Sequence, residues 1–195
     1  MMTALCAQNK LTQLAYQAMK DTYTGNDEVA AIRKQIAALT GGQSPADVAA
    51  DLKADLKKEA SALDAKLAPF GGAVGERGGR GGAGGGGGGF GGRGGAPATP
   101  GAVTSFTSLN GTFGSLVSLM QVGLDMGPTP AQIDTWASGC KTFNETVAAW
   151  SKMQSSDLAA FNGLLTKNNL PGLTIVPTKL LAQTCTFTPA ERSKK

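Results

Sequence analysis

Between residues 71 and 95 the chain reads GGAVGERGGRGGAGGGGGGFGGRGG, with 17 glycines in 25 positions. Glycine brings no side chain to a core and gives up the most backbone freedom when it is ordered. Such a stretch cannot be the interior of a helix or strand, so the fold must be built from the segments on either side. Both of these carry apolar residues at helical spacing. The pattern predicts a disordered linker over 71–100, an N-terminal helical part (1–70), a C-terminal helical part (101–172) and an extended tail (173–195).

Before the tract, Leu11, Leu14, Ala18, Thr22, Gly25, Val29, Ile32, Ile36 and Leu39 follow one another at steps of three and four. That is one seam of a helix running roughly from residue 5 to 40. Gly25 costs such a helix about 1 kcal/mol against alanine. Asn26 and Asp27 offer the alternative of capping a second helix there. Gly41-Gly42 ends the seam, and Ser44-Pro45-Ala46-Asp47 has the composition of a new helix start. Val48, Leu52, Leu56, Ala60, Leu63 and Leu67 form its apolar side. Asp51, Lys53, Asp55, Lys57, Lys58 and Glu59 form a solvated face.

After the tract, Pro97 and Pro100 keep the chain extended to about Thr104. Phe106, Leu109, Phe113, Leu116 and Met120 then step as a third helix, which Gly127-Pro128 ends. Thr129-Pro130-Ala131-Gln132 is a capping box, followed by the seam Ile133, Trp136, Cys140, Phe143, Val147 and Trp150. The seam loosens through Leu158, Phe161 and Leu165 and stops at Pro171-Gly172. The following LTIVPTKLLAQTCTFTP contains a short β-prone piece. Four seams that cannot bury themselves imply an all-α protein, an up-down four-helix bundle of long amphipathic helices made of two docked hairpins, with the glycine-rich loop between them.

Candidate chemistry is sparse. The sequence holds no histidine, which removes the commonest general base and metal ligand near neutral pH. Cys6, Cys140 and Cys185 have no close paired spacing, so no zinc site or other cofactor is expected. Cys140 and Cys185 can bridge and tie the tail to a helix; equally, Cys140 suits a small buried apolar position. Asp51, Asp55, Asp134 and Asp157 lie on helix faces with no second acid fixed opposite. Trp136 and Trp150, two heptads apart on one seam, read as core rather than as a sugar platform. Asn110 and Asn144 head glycosylation sequons, but within helical stretches. No catalytic constellation emerges, and the chain reads as a non-enzyme.

The net charge of +4 is split between the tract and the segment after it, with the first 70 residues neutral. That is too diffuse for a nucleic-acid footprint on the folded part. The tract itself places Arg77, Arg80 and Arg93 before Gly-Gly pairs, with Phe90 among them. This composition fits RNA contact through phosphates and base stacking, and it also fits a plain flexible tether. The opening MMTALCAQNK lacks the apolar run of a signal peptide, and no stretch approaches the ~20 apolar residues of a membrane span.

Three stretches resemble the C-terminal helical region of bacterial sortilin-like β-propeller proteins, whose sialidase-like Asp-box repeats often lead to a glycosyl hydrolase label. They are LTQLAYQAMKDTYTGNDEVAAIRKQIAAL (Leu11–Leu39), FTSLNGTFGSLVSLM (Phe106–Met120) and DLAAFNGLLTKNNLPGL (Asp157–Leu173), the last being the most specific. The resemblance spans Leu11 to Leu173. The chain has no Asp-box, so no catalytic residue carries over. The resemblance implies a non-catalytic structural or protein-interaction module, partnered by a preceding β-propeller or another protein; separately, long helices with exposed seams can pair between chains, which leaves a homo-oligomer as a further option. It also implies a periplasmic or extracellular site as part of a parent protein, against a cytoplasmic one if the chain is complete.

Overall fold

The computed structural model describes residues 2–41, 54–71, 103–122, 127–174 and 180–188. The protein is all-α. The helices among the described residues are α1 (Met2–Leu39), α2 (Ala54–Leu67, extended by a 3-10 turn at Ala68–Phe70), α3 (Phe106–Val122) and α4 (Pro130–Met153). A π-helical turn, Gln154–Leu158, continues α4 into α5 (Ala159–Lys167) without a break. Among the described residues there is no strand. The Ser44-Pro45 helix start, the prolines after the tract, and the tract between residues 72 and 102 lie outside the described residues. Val48 and Leu52 do as well.

α1 is a single helix of 38 residues, with Gly25 inside it. The second rod, α4, the π turn and α5, contributes 24, 5 and 9 residues, the same length. At about 1.5 Å per residue each rod is ~57 Å long. The two shorter helices lie end to end between these rods. Along α3, Asn110 Nδ2 donates to Met19 O (2.8 Å) and Thr107 Oγ1 to Asn26 Oδ1 (2.9 Å), while Gln8 Nε2 donates to Met120 O. Rising numbers in α1 thus meet falling numbers in α3, so α3 runs antiparallel along the N-terminal half of α1. α2 runs antiparallel along the C-terminal half, where Arg33 Nε meets Asp64 Oδ1 at 2.8 Å. The two hairpins dock by sharing α1, and each level of the bundle is three helices across.

The two short helices meet at an aromatic junction. Phe70 ends the α2 segment, Phe106 begins α3, and Trp150 comes from α4. Ring centroids are 6.4 Å apart for Phe70–Phe106, 5.3 Å for Phe70–Trp150 and 6.5 Å for Phe106–Trp150. Opposite them stands Gly25, where an added Cβ would lie 2.9 Å from three Phe106 ring carbons. Gly25 therefore interrupts no helix; it makes room for the ring that closes the junction. We expect Gly25→Ala to lower stability by about 1–3 kcal/mol through overpacking, despite alanine's better helix propensity. Urea titration of both proteins measures it, and a stabilised variant would contradict the packing argument.

Phe113 fills the lower half, with its ring 5.8 Å from Trp136 and 6.3 Å from Phe143. Ala15 and Ala18, both fully buried, let the rods approach. Leu14, expected on the seam, is only half-buried, and Ala15 takes the inward place. The loosening of the last seam has a geometric cause. Met153 and Leu158 are both buried five residues apart, one π turn. Regular α spacing from Trp150 would instead have turned Gln154 and Asp157 inward. Asp157 stays outside and pairs with Lys66 of α2. That hydrogen bond pulls the Asp157 carboxyl below its usual range and raises the lysine. The pair's contribution is present above the ordinary aspartate pKa and disappears as pH falls through the depressed one.

Local chemistry sets the ends. Thr129 and Gln132 form the reciprocal capping box of α4. Ser105 Oγ accepts the Ser108 amide at the start of α3 (3.1 Å). At the end of α5, Asn169 takes the left-handed conformation at φ 58°, and the Leu170 amide reaches back to Leu165 O. This is a Schellman closure with asparagine in the usual glycine place.

The base of the glycine-rich tract is a narrow one. A Cβ on Gly71 would be 3.2 Å from Thr107 Oγ1, so the chain leaves α2 and re-enters at α3 from almost the same spot. A short connection therefore suffices. Replacing residues 72–102 with about six Gly/Ser residues should keep the helical spectrum and raise stability by about 1–1.5 kcal/mol, the loop-closure difference. A thermal melt showing a fall instead would mean that the tract contributes to the fold.

Candidate functional site

Beyond the turn that closes α5 the chain doubles back as an extended strap, described at residues 170–174 and 180–188, in the groove between α1 and the α4–α5 rod. Three carboxamide side chains hold it, each through both its oxygen and its nitrogen. Asn162 Oδ1 accepts the Leu173 amide (2.7 Å), and its Nδ2 donates to Leu173 O (3.3 Å). Gln35 does the same for Thr174, at 2.7 and 2.9 Å. Asn144 does it for Gln183, at 2.8 and 2.9 Å. A primary amide presents one acceptor and one donor side by side, matching the C=O and N–H of one extended residue. The strap thus receives from helix side chains the pairing that a neighbouring strand would give.

Side chains of the strap fill the groove beneath. Leu173 is buried, and Leu170, Leu180, Cys185 and Phe187 pack against the core. Gln183 Nε2 also reaches Asp21 Oδ2 on α1 at 2.8 Å. Cys140 and Cys185 are joined in a disulfide, 45 residues apart in sequence, which staples the strap to α4. Cys6 is a free, exposed thiol.

Between the levels of Asp21 and Gln35, α1 turns Glu28 inward. Its Oε2 accepts from Trp150 Nε1 at 2.9 Å and from Gln154 Nε2 at 3.5 Å. Its Oε1 is buried with no hydrogen-bond partner.

A second feature is the outer side of α1 and α3. Tyr16 and Tyr23, one heptad apart, are both about half exposed (52% and 54%). Between α1 and α3 runs an open groove of about 270 Å³ lined by Met19, Lys20, Tyr23, Thr24 and Asn110. α3 has no charged residue along its 17 positions. Even so, its outer arc of Ser108, Gly111, Ser115, Ser118 and Leu119 is exposed.

The structure brings Cys140 and Cys185 together. Arg77, Arg80, Phe90 and Arg93 lie outside the described residues, as does Asp51. Asp55 and Asp134 are exposed on α2 and α4, and Asp157 is engaged by Lys66. Trp136 and Trp150 are core residues. The sequon asparagines are both occupied: Asn110 bonds Met19 O and Thr22 Oγ1, and Asn144 holds the strap. Among the described residues no three His, Cys, Asp or Glu side chains converge as a metal site, and no helix is long and apolar enough to cross a membrane.

Sequence reasoning missed the clamps. The available signal was asparagine at 144 and 162 inside helical stretches, where it is a poor helix former and needs another reason to be there; Gln35, a good helix former, gave none.

The chain matches no protein-family model, no curated protein and no solved structure. Its functional reading therefore rests on the residues themselves.

Proposed function

We propose that the chain is a non-catalytic helical accessory module, structural or protein-binding, that serves a sortilin-like β-propeller protein in an oxidising compartment. The observation that carries this reading is the exposed, uncharged arc of α3, on the helix that shares with Tyr23 of α1 the open groove between them. A solvated helix face carries charges, as α2 does. An exposed face without them shares with interface centres their depletion of charge, and a partner covering it would leave no side-chain charge to desolvate. The Cys140–Cys185 disulfide supports an exported location, because such bonds persist where thiols are not kept reduced. The propeller is the proposed partner because of the three stretches that resemble the helical region of such proteins.

The face can be tested without disturbing the core. Nothing lies within 4 Å of a Cβ placed on Gly111, so Gly111→Lys with Ser115→Lys should leave the helical spectrum intact. Binding to a separately expressed propeller of the kind proposed as partner should weaken at least tenfold. An upstream reading frame without propeller repeats, or turnover of aryl glycosides by this chain alone, would overturn the proposal.

A second reading, RNA binding through Arg77, Arg80 and Arg93, is favoured by the narrow base of the tract. Gly71 and Thr107, which bracket the segment, lie side by side, so a connection far shorter than the tract would join α2 to α3. Changing all three arginines to glutamine should then abolish filter retention of RNA, and unchanged retention ends this reading.

A further inference from the structure

Each of the three amide clamps reads the peptide backbone of one residue, and Asn144 Nδ2 also reaches Cys185 Sγ at 3.3 Å. Asn162, Gln35 and Asn144 touch the N–H and C=O of Leu173, Thr174 and Gln183 and ignore what those residues carry. Selectivity must come from the seats on either side of the Gln183 clamp, which take Leu180, Cys185 and Phe187. Backbone hydrogen bonds for affinity and alternate side-chain seats for specificity are the general design of a site for an extended peptide. Here the peptide is the protein's own tail.

We propose that the groove between α1 and the α4–α5 rod is an extended-peptide site that also accepts the strap in trans, from a second copy of this chain, once the Cys140–Cys185 disulfide is opened. The second copy is the fitting occupant because its strap meets every seat and clamp, including the thiol that Cys140 requires. Opening needs a dithiol reductant, which delivers two electrons and two protons. Cys140 and Cys185 become thiols, and the reductant becomes a cyclic disulfide. While the bond is closed the strap is held in cis. Once it is open, the strap competes from its own tether at an effective concentration on the order of millimolar, so exchange depends on protein concentration. This is an exchange of identical elements between protomers.

The test weakens the cis strap and leaves the groove whole. A full-length chain carrying Cys6→Ser, Cys185→Ser and Gln183→Pro loses the bridge and the N–H that Asn144 accepts. The probe is a dye-labelled peptide of residues 180–188, read by fluorescence anisotropy under reducing conditions. We expect this peptide to bind at least tenfold more tightly than the same peptide with proline at the Gln183 position. Binding should fall at least tenfold again when Asn144→Leu is added, and the oxidised parent chain should not bind at the same concentration. Equal binding of the two peptides, no binding up to ~1 mM, or loss of the helical spectrum in the strap variant would each overturn the proposal. For the second copy itself, isotopically light and heavy Cys6→Ser chains are mixed, reduced and reoxidised at ~1 mM. Cys140–Cys185 cross-links between light and heavy chains are expected, and like-isotope links alone would overturn exchange in trans.

Discussion

Replacing Cys185 with alanine should lower the free energy of unfolding by about 2–4 kcal/mol while leaving the helical spectrum of the native protein nearly unchanged. The bridge closes a loop of 45 residues, for which the chain-entropy model gives about 4 kcal/mol at 25 °C. The lower part of the range allows for the three amide clamps, which keep the strap partly docked after the bond is gone. Cys185 is the better partner to change. Cys140 is fully buried and as a free thiol still fills its place as a small apolar group. Denaturant titration measures the loss. Hydrogen exchange locates it: amides of residues 180–188 should lose protection, and those of α1 and α4 facing the aromatic junction should keep theirs until global unfolding. Equal loss of protection throughout would make the strap an inseparable part of the core.

That division between strap and bundle follows how legible each was in the sequence. Helices reveal themselves through spacing. Ile133, Trp136, Cys140, Phe143, Val147 and Trp150 announced α4, and the Thr129–Gln132 box announced its first turn, because both depend on neighbours three and four residues away. The strap has no such periodicity. Its hydrogen-bond partners come from Gln35, Asn144 and Asn162, up to 139 residues distant, and carboxamides reading backbone leave no pattern in the segment they hold.

The order of the helices in space was hidden for a related reason. Four seams specify four helices but not that α2 and α3 share one side of α1. That arrangement depends on the length of α1 and on a close approach at one residue, Gly25. In a linear reading Gly25 is a weak point of a helix. In space it is the floor beneath Phe106. The π turn belongs to the same class: an irregular step between Met153 and Leu158 makes sense only once Leu158 must face inward and Asp157 must meet Lys66.

Phe106→Ala should be the most damaging single change, lowering stability by about 3–5 kcal/mol, the usual cost of removing a fully buried aromatic ring. The side chain is completely inaccessible and touches all three layers at once: Gly25 on α1, Phe70 at the end of α2 and Trp150 on α4. Neighbouring side chains cannot simply collapse into the gap, because Trp150 is fixed by its hydrogen bond to Glu28. Against a typical total of about 5–15 kcal/mol for a domain, such a loss leaves a protein that melts far earlier. The stronger test is a change of sign. In the parent, Gly25→Ala is unfavourable because its methyl meets the Phe106 ring. With Phe106 already alanine, that obstacle is gone, and the same substitution should become neutral or stabilising by up to about 1 kcal/mol from helix propensity. A double-mutant cycle over the four proteins therefore yields a coupling energy of 1 kcal/mol or more, within the range expected for residues in contact. If Gly25→Ala instead has the same effect in both backgrounds, the glycine is not there for Phe106, and the junction is not what sets the end-to-end placement of α2 and α3 along α1.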